Sequence, residues 1–428
     1  MRTRNVPLGL YGIAAVAALA ALIGLPAAAQ TETVLHSFGG GTDGIGPGVS
    51  LVFDSHGNLY GTTSSGGAYN TVLIGGTVFE LEPQAGGSWN ESILHSFSGG
   101  SDGSAPYGGV IFDAVGNLYG TSASGGVDCA TYGYDCGQVY ELKHTAGGWT
   151  KEIVHSFNSG GKDGYTPYAG LVFDSSGNLY GTTYFGGAYN GGIVFELSPK
   201  IGGGWQERIL HTFDNNGTDG ANLRASLVLD ASGNVYGVTD WGGTYDAGIV
   251  FELIHQASGA WTEKIVHTFG KGADGIHPEG SLILDHAGNV YGTTTQGGTH
   301  KCGIVFELSP ETGGSWKETT LHTFNYTTNT DGDRPNGGLT SDAAGNLYAT
   351  TVDGGVYDFS NGGYGTVFEL SPASGDTWRE SLLHSFNSNG VDGNFPGGNL
   401  ILDSAGNLYG TTGLGGDVNA GTVFEVTP

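Results

Sequence analysis

Residues 31–38 read Thr31-Glu32-Thr33-Val34-Leu35-His36-Ser37-Phe38, and residues 421–426 read Gly421-Thr422-Val423-Phe424-Glu425-Val426. Between them, six times over, a segment like the second is followed by a segment like the first. The anchor His-Ser/Thr-Phe stands at His36, His95, His155, His211, His267, His322 and His384, at spacings of 55 to 62 residues. Two more anchors keep step. Gly-Asn-Leu/Val-Tyr recurs at Asn58, Asn117, Asn178, Asn234, Asn289, Asn346 and Asn407, and Phe/Tyr-Glu-Leu/Val at Glu80, Glu141, Glu196, Glu252, Glu307, Glu369 and Glu425. A repeat of this length means a propeller, a solenoid or an array.

Within one unit, Leu171–Asp174, Asn178–Thr183, Gly192–Leu197 and Trp205–Phe213 are short runs rich in β-branched and aromatic residues, bounded by Gly, Asn, Asp or Pro. The unit is read as four antiparallel strands. Asp174-Ser175-Ser176-Gly177-Asn178 is a tight hairpin, with Asp accepting turn amides and Gly free to take a positive φ. Such a sheet has two apolar faces, and radial stacking covers both. The chain stops on a third strand, and residues 31–38 are a fourth strand with no unit before them. An open solenoid would gain nothing from that cut. The expectation is an all-β, seven-bladed propeller with four antiparallel strands per blade, the last blade formed by 398–426 and closed by the N-terminal strand 32–38.

Residues 1–29 differ from the rest: Arg2 and Arg4, an apolar run from about Leu8 to Leu25, then Pro26-Ala27-Ala28-Ala29. This is a secretory signal with an Ala-x-Ala cleavage site. It leaves 30–428 as a single propeller domain, exported to the periplasm, the medium or the cell surface, with no membrane insertion after cleavage. Formal charge is −27, and loss of Arg2 and Arg4 takes it near −29. Nucleic acid is excluded as a partner, since phosphate binding needs clustered Lys and Arg. A polysaccharide or surface protein fits that charge, and a monomer is expected. Of three cysteines, Cys129 and Cys136 are close enough to staple one Gly- and Tyr-rich loop in an oxidising compartment. Cys302 is left over.

The pattern Leu/Val-His-Ser/Thr-Phe, Asp-Gly-x-x-Pro, Asp-x-x-Gly-Asn-Leu-Tyr-Gly-Thr-Thr, Gly-Gly and Val-Phe-Glu-Leu resembles the GloVer tandem repeat of exported bacterial proteins. The resemblance covers residues 32–428 in seven concordant copies. It implies export and carries no established activity.

A residue present in every blade builds the blade, so the strand histidines, Glu80 and its equivalents, and the Trp that open fourth strands are read as structural. The Asp-Gly pairs, such as Asp163 and Asp219, are read as turn builders, since one Asp per blade does not give calcium its six to eight converging oxygens. Departures from the repeat are candidates, above all on the long loops, which share one face of the ring. Blades 3 and 4 carry Tyr184-Phe185 and Asp240-Trp241 where other blades have smaller residues, with Tyr165 and Tyr168 entering blade 3 and Arg224 entering blade 4. Aromatic faces beside Asp and Arg suit sugar rings. Blade 5 carries His277, Glu279, His300 and Cys302 on its long loops, a set able to bind a transition metal. No cofactor is required; calcium or a transition metal is compatible. The leading expectation is a non-catalytic exported binding propeller with no catalytic residue. The alternative is a metal-assisted lyase or lactonase at the long-loop face with His277, His300 and Glu279. No Gly-x-Ser-x-Gly or His-Glu-x-x-His is present.

Overall fold

The computed structural model of the chain describes residues 31–69, 75–127, 136–158, 162–327, 331–357, 362–375 and 377–428. It is a seven-bladed β-propeller of antiparallel sheets. In blade 3 the strands Val172–Phe173, Leu179–Thr183, Ile193–Pro199 and Trp205–Thr212 are hydrogen-bonded in chain order. Blade 7 contains Gly393–Leu402, Leu408–Gly415 and Thr422–Thr427, and its outer strand is Thr31–Ser37. That strand pairs from Thr31 opposite Thr427 to Ser37 opposite Thr422, so the two ends of the chain complete one sheet.

Local chemistry explains each blade. In the first hairpin of blade 3, Asp174 Oδ1 accepts from the amides of Ser176 (2.8 Å) and Asn178 (2.9 Å), and Oδ2 from Asn178 Nδ2 (2.8 Å). Gly177 supplies the φ of 82° that closes the turn. Every outer strand then breaks register once: in blade 3 Val194 faces His211 and Phe195 faces Ile209. The skipped residue, Leu210, makes a bulge that re-aims the histidine and the phenylalanine after it toward the next blade.

The phenylalanine does the closing. Phe213 of blade 3 meets Phe251 of blade 4 at 5.1 Å between ring centroids, and the series runs round the whole ring, ending with Phe386 on Phe424 (5.1 Å) and Phe38 on Phe79 (5.2 Å). Each such pair adds about 0.5–1.5 kcal/mol beyond the area it buries. Threonines of the second strands latch neighbouring blades as well: Thr121 Oγ1 donates to the Ala169 carbonyl at 2.8 Å and Thr411 Oγ1 to that of Val49 at 2.8 Å.

The histidines face the seams between blades and are half-buried, with Nε2 on the Asp of the next Asp-Gly pair, as in His267 to Asp274 (3.1 Å) and His384 to Asp392 (3.2 Å). Cys136 is disulfide-bonded, and Cys302 is free and buried. Cys129 and the expected signal at 1–29 lie outside the described residues. Among the described residues no helix is long and apolar enough to cross a membrane.

Candidate functional site

The innermost strands are shorter than the sequence suggests: Val172–Phe173 stands where Leu171–Asp174 was expected. The residues just before them line a central channel, outside the sheet in blade 3, while in blade 7 Gly397 lines it from within the longer strand Gly393–Leu402, opposite Thr411. All seven blades contribute to a cavity of about 420 Å³ there, including Gly48, Tyr107, Tyr168, Arg224, Glu279, Asn336 and Gly397, each one residue past the repeat's Pro or, in blade 4, Leu223.

The residue on the other side of that Pro is left-handed in every blade. Its φ is 70° at Gly46, 54° at Ala105, 59° at Thr166, 62° at Asn222, 59° at His277, 57° at Arg334 and 54° at Phe395. For a non-glycine residue this costs on the order of 1–3 kcal/mol and persists only where the surroundings over-determine it. Two backbone bonds do so: the His277 amide donates to the Ala247 carbonyl of the preceding blade (3.0 Å), and the His277 carbonyl accepts from Thr295 (3.0 Å). The chain is thereby pinned to two elements while the side chain is left to vary. Short two-residue ribbons place further side chains beside the channel, setting Tyr165 opposite Phe185 and Ala221 opposite Trp241.

Blades 2 to 5 use this frame to build one continuous surface. Tyr107 packs on Tyr168 (5.3 Å), Tyr168 on Tyr184 (5.3 Å), Tyr184 on Phe185 (4.6 Å), and Phe185 stacks on Tyr165 (5.4 Å, interplanar angle 26°). The Arg224 guanidinium lies 4.6 Å from the Tyr184 ring centre and 5.5 Å from that of Tyr168. It donates from NH2 to Tyr184 Oη (3.3 Å) and from Nε to Asp240 Oδ2 (3.3 Å). The second oxygen of Asp240 meets His277 Nδ1 at 3.0 Å. His277 in turn lies against Trp241, ring centres 4.2 Å apart.

Electrostatics follow from that chain of contacts. The bond to Asp240 holds His277 above the ordinary histidine value. Burial, with the Asp240 charge nearby, holds Glu279 above the ordinary carboxyl range, against the pull of Arg224, His277 and Arg334. Asp240 is buried, whereas Trp241 is 40% and Tyr107 48% exposed. The ring faces are therefore available while the charges beneath are held in place.

The two sequence patches meet here. Tyr165, Tyr168, Tyr184, Phe185, Arg224, Asp240 and Trp241 form one network; of the residues read as metal ligands of a separate patch, His277 joins it through Asp240 and Glu279 lines the same cavity as Arg224. His300 and Cys302 do not. His300 is exposed. Cys302 is buried in the core with Phe324 and Leu339, and its thiol donates to the His300 carbonyl at 3.2 Å. Burial pushes that thiol up, away from the thiolate a metal needs. Among the described residues, the groups whose ligand atoms converge lie at the blade seams instead. The oxygen-rich stretch 214–219 spends its oxygens on turn amides: Asp219 Oδ1 accepts from Gly220 (2.7 Å) and Asn216 Oδ1 from Thr218 (3.0 Å). Tyr107 was missed in the sequence, although it occupies the same post-Pro column as Tyr168 and Arg224.

A family model described as the Gloeobacter/Verrucomicrobia repeat matches residues 21–172, 127–359 and 264–428. No curated protein matches the chain. Similar solved structures include the extracellular domain assigned to a hybrid two-component system of B. thetaiotaomicron, 11% identical with a TM-score of 0.54, covering 91% of this chain and 39% of that one. Trypanosoma rangeli sialidase in complex with sialic acid aligns at 10% identity and a TM-score of 0.45, over 94% of this chain and 59% of that one. The chain thus spans less than two thirds of either, and at 11% identity the likeness to the first is one of fold. The family matches overlap and together run from residue 21 to residue 428, and the anchors that carry them build all seven blades: the chain belongs to the Gloeobacter/Verrucomicrobia repeat family.

Proposed function

We propose that this protein is an exported, non-catalytic binding propeller that holds a polysaccharide or other glycan across the channel mouth of blades 2 to 5. The observation that carries the reading is the unbroken run of aromatic rings from Tyr107 to Phe185, joined by Arg224 to the Asp240–His277–Trp241 group. Partly exposed rings offer flat apolar faces to the C–H faces of a sugar, and the fixed guanidinium and carboxylate offer polar contacts to its hydroxyls. The Asp240 contact at His277 Nδ1 fixes that ring against Trp241, adding a polar edge beside the aromatic faces.

The test is retention of the purified protein on a panel of polysaccharides, with and without a chelator, scoring released reducing ends in the same tubes. Retention without product, insensitive to chelator, is expected. Trp241→Ala combined with Tyr184→Ala is expected to weaken retention at least about tenfold, as loss of aromatic anchors does. Chelator-sensitive product release would overturn the proposal in favour of a metal-assisted lyase or lactonase.

A further inference from the structure

The outer seams of the ring carry groups that the mouth does not use. At the seam of blades 7 and 1, His36 Nε2 lies 3.5 Å from Asp43 Oδ1 and 3.8 Å from Glu91 Oε1. At the seam of blades 2 and 3, His155 Nε2 lies 3.5 Å from Asp163 and 3.5 Å from Glu207. At the seam of blades 3 and 4, the corresponding distances from His211 are 3.3 Å to Asp219 and 3.7 Å to Glu263. The trios His267, Asp274, Glu318 and His384, Asp392, Glu32 repeat the arrangement, so five seams bring an imidazole nitrogen and two carboxylate oxygens within 4.8 Å of one another. Most of these separations are wider than the ~2.7–2.9 Å of a charged hydrogen bond. They approach the edge of a tetrahedron with metal–ligand bonds of ~2.0–2.1 Å, which is about 3.3 Å.

Several of the ligand atoms make no hydrogen bond of ordinary geometry. His36 Nε2, Asp43 Oδ1 and Glu91 Oε1 are all buried without a hydrogen-bond partner, as are Glu32 Oε1, Glu207 Oε1, Glu263 Oε1 and Glu318 Oε1. At the seam of blades 6 and 7 the Asp392 side chain is only 9% exposed, and its Oδ1 is likewise unpartnered while Oδ2 faces His384. Buried acceptors that face one another call for a positive partner.

One seam shows how such a demand is met. Between blades 1 and 2, Lys151 replaces the glutamate, and its ammonium sits 3.2 Å from Asp102 Oδ1 and 2.7 Å from the Asp102 carbonyl. The chain itself thus supplies a cation at the equivalent place.

We propose that the five convergent His–Asp–Glu seams each bind one divalent transition metal ion, zinc being the best match, through one imidazole nitrogen and two carboxylate oxygens with water completing the tetrahedron. Calcium is a poorer match, since it takes six to eight oxygens. Two of the sites flank the closing strand Thr31–Ser37: Glu32 belongs to the seam with blade 6 and His36 to the seam with blade 1. Metal there ties the strand to both neighbours, and metal binding to the folded ring adds to its stability.

The experiment strips the protein with a chelator, dialyses it against micromolar free zinc and counts bound metal by atomic absorption. Five equivalents are expected from the five convergent seams. Glu207→Gln and Glu263→Gln should each remove one, and Lys151→Glu should add one. Cobalt in place of zinc should show the intense visible absorption of a tetrahedral site. The unfolding temperature should rise with zinc and return with chelator. Retention below one equivalent, or a count unchanged in the two glutamine variants, would overturn the proposal and leave the seams to protons. The glutamine variants decide the matter even if Lys151→Glu fails to fold.

Discussion

The seams between blades and the mouth of the channel are built from the same repeat, yet one is uniform and the other is not. Aromatic pairs at the seams keep to 5.1–5.2 Å from Phe38–Phe79 to Phe386–Phe424. At the mouth the equivalent column reads Gly48, Tyr107, Tyr168, Arg224, Glu279, Asn336 and Gly397. Blades 7 and 1 are glycine there, while blades 2 to 5 present rings and charges. Close packing tolerates no change of volume, so the seams repeat. The mouth side chains hang from a backbone held by its own hydrogen bonds, so they are free to differ. Stability and recognition are therefore carried by different atoms of one unit.

The hardest blow to that division would come from Phe251→Ala. This fully buried seam ring should cost about 3–5 kcal/mol in denaturant unfolding, and a loss below about 1 kcal/mol would mean that the seams do not hold the ring. Asp174→Ala, which removes four hydrogen bonds from one hairpin, should cost about 1.5–3 kcal/mol without changing ligand retention. Trp241→Ala with Tyr184→Ala should do the reverse, losing retention at a stability cost near 1 kcal/mol; a loss as large as that of Phe251→Ala would make the mouth rings packing residues. The smallest effect sharpens the electrostatics. His277 titrates above its ordinary value because of Asp240, so the pair adds stability that is complete below about pH 6.5 and fades as pH rises through the raised value. Asp240→Asn should bring the NMR titration midpoint of His277 back toward ~6.5, and an unmoved midpoint would show that the contact is idle.

The blade count, the four-stranded unit and the closure by residues 31–38 were legible because each anchor is local and recurs. The union of the two candidate patches was not. Asp240 follows the second strand of blade 4, Val235–Thr239, and His277 enters blade 5, and only the wedge-shaped stacking of blades brings them to 3.0 Å. Left-handed residues such as Thr166, His277 and Phe395 gave no sequence signal, since side chains of these types carry none of the expectation that glycine does. Cys302 looked like a loop thiol, but its 2% exposure depends on packing with the next blade. Glu207 and its equivalents alternate with polar outer-strand residues and read as surface, until the neighbouring blade's bulge turns a histidine onto them.

Closing the ring with Thr31 opposite Thr427 also sets a schedule. During synthesis the strand made first among the described residues has to wait for Thr422–Thr427 before it can pair. Six blades can form from neighbouring segments as they emerge, but the seventh needs a contact between Thr31–Ser37 and Thr422–Thr427, far apart in sequence and of the kind that is slowest to form. Until then the incomplete ring exposes a bare strand edge, a natural client for a chaperone and the point where a stalled chain would begin to aggregate.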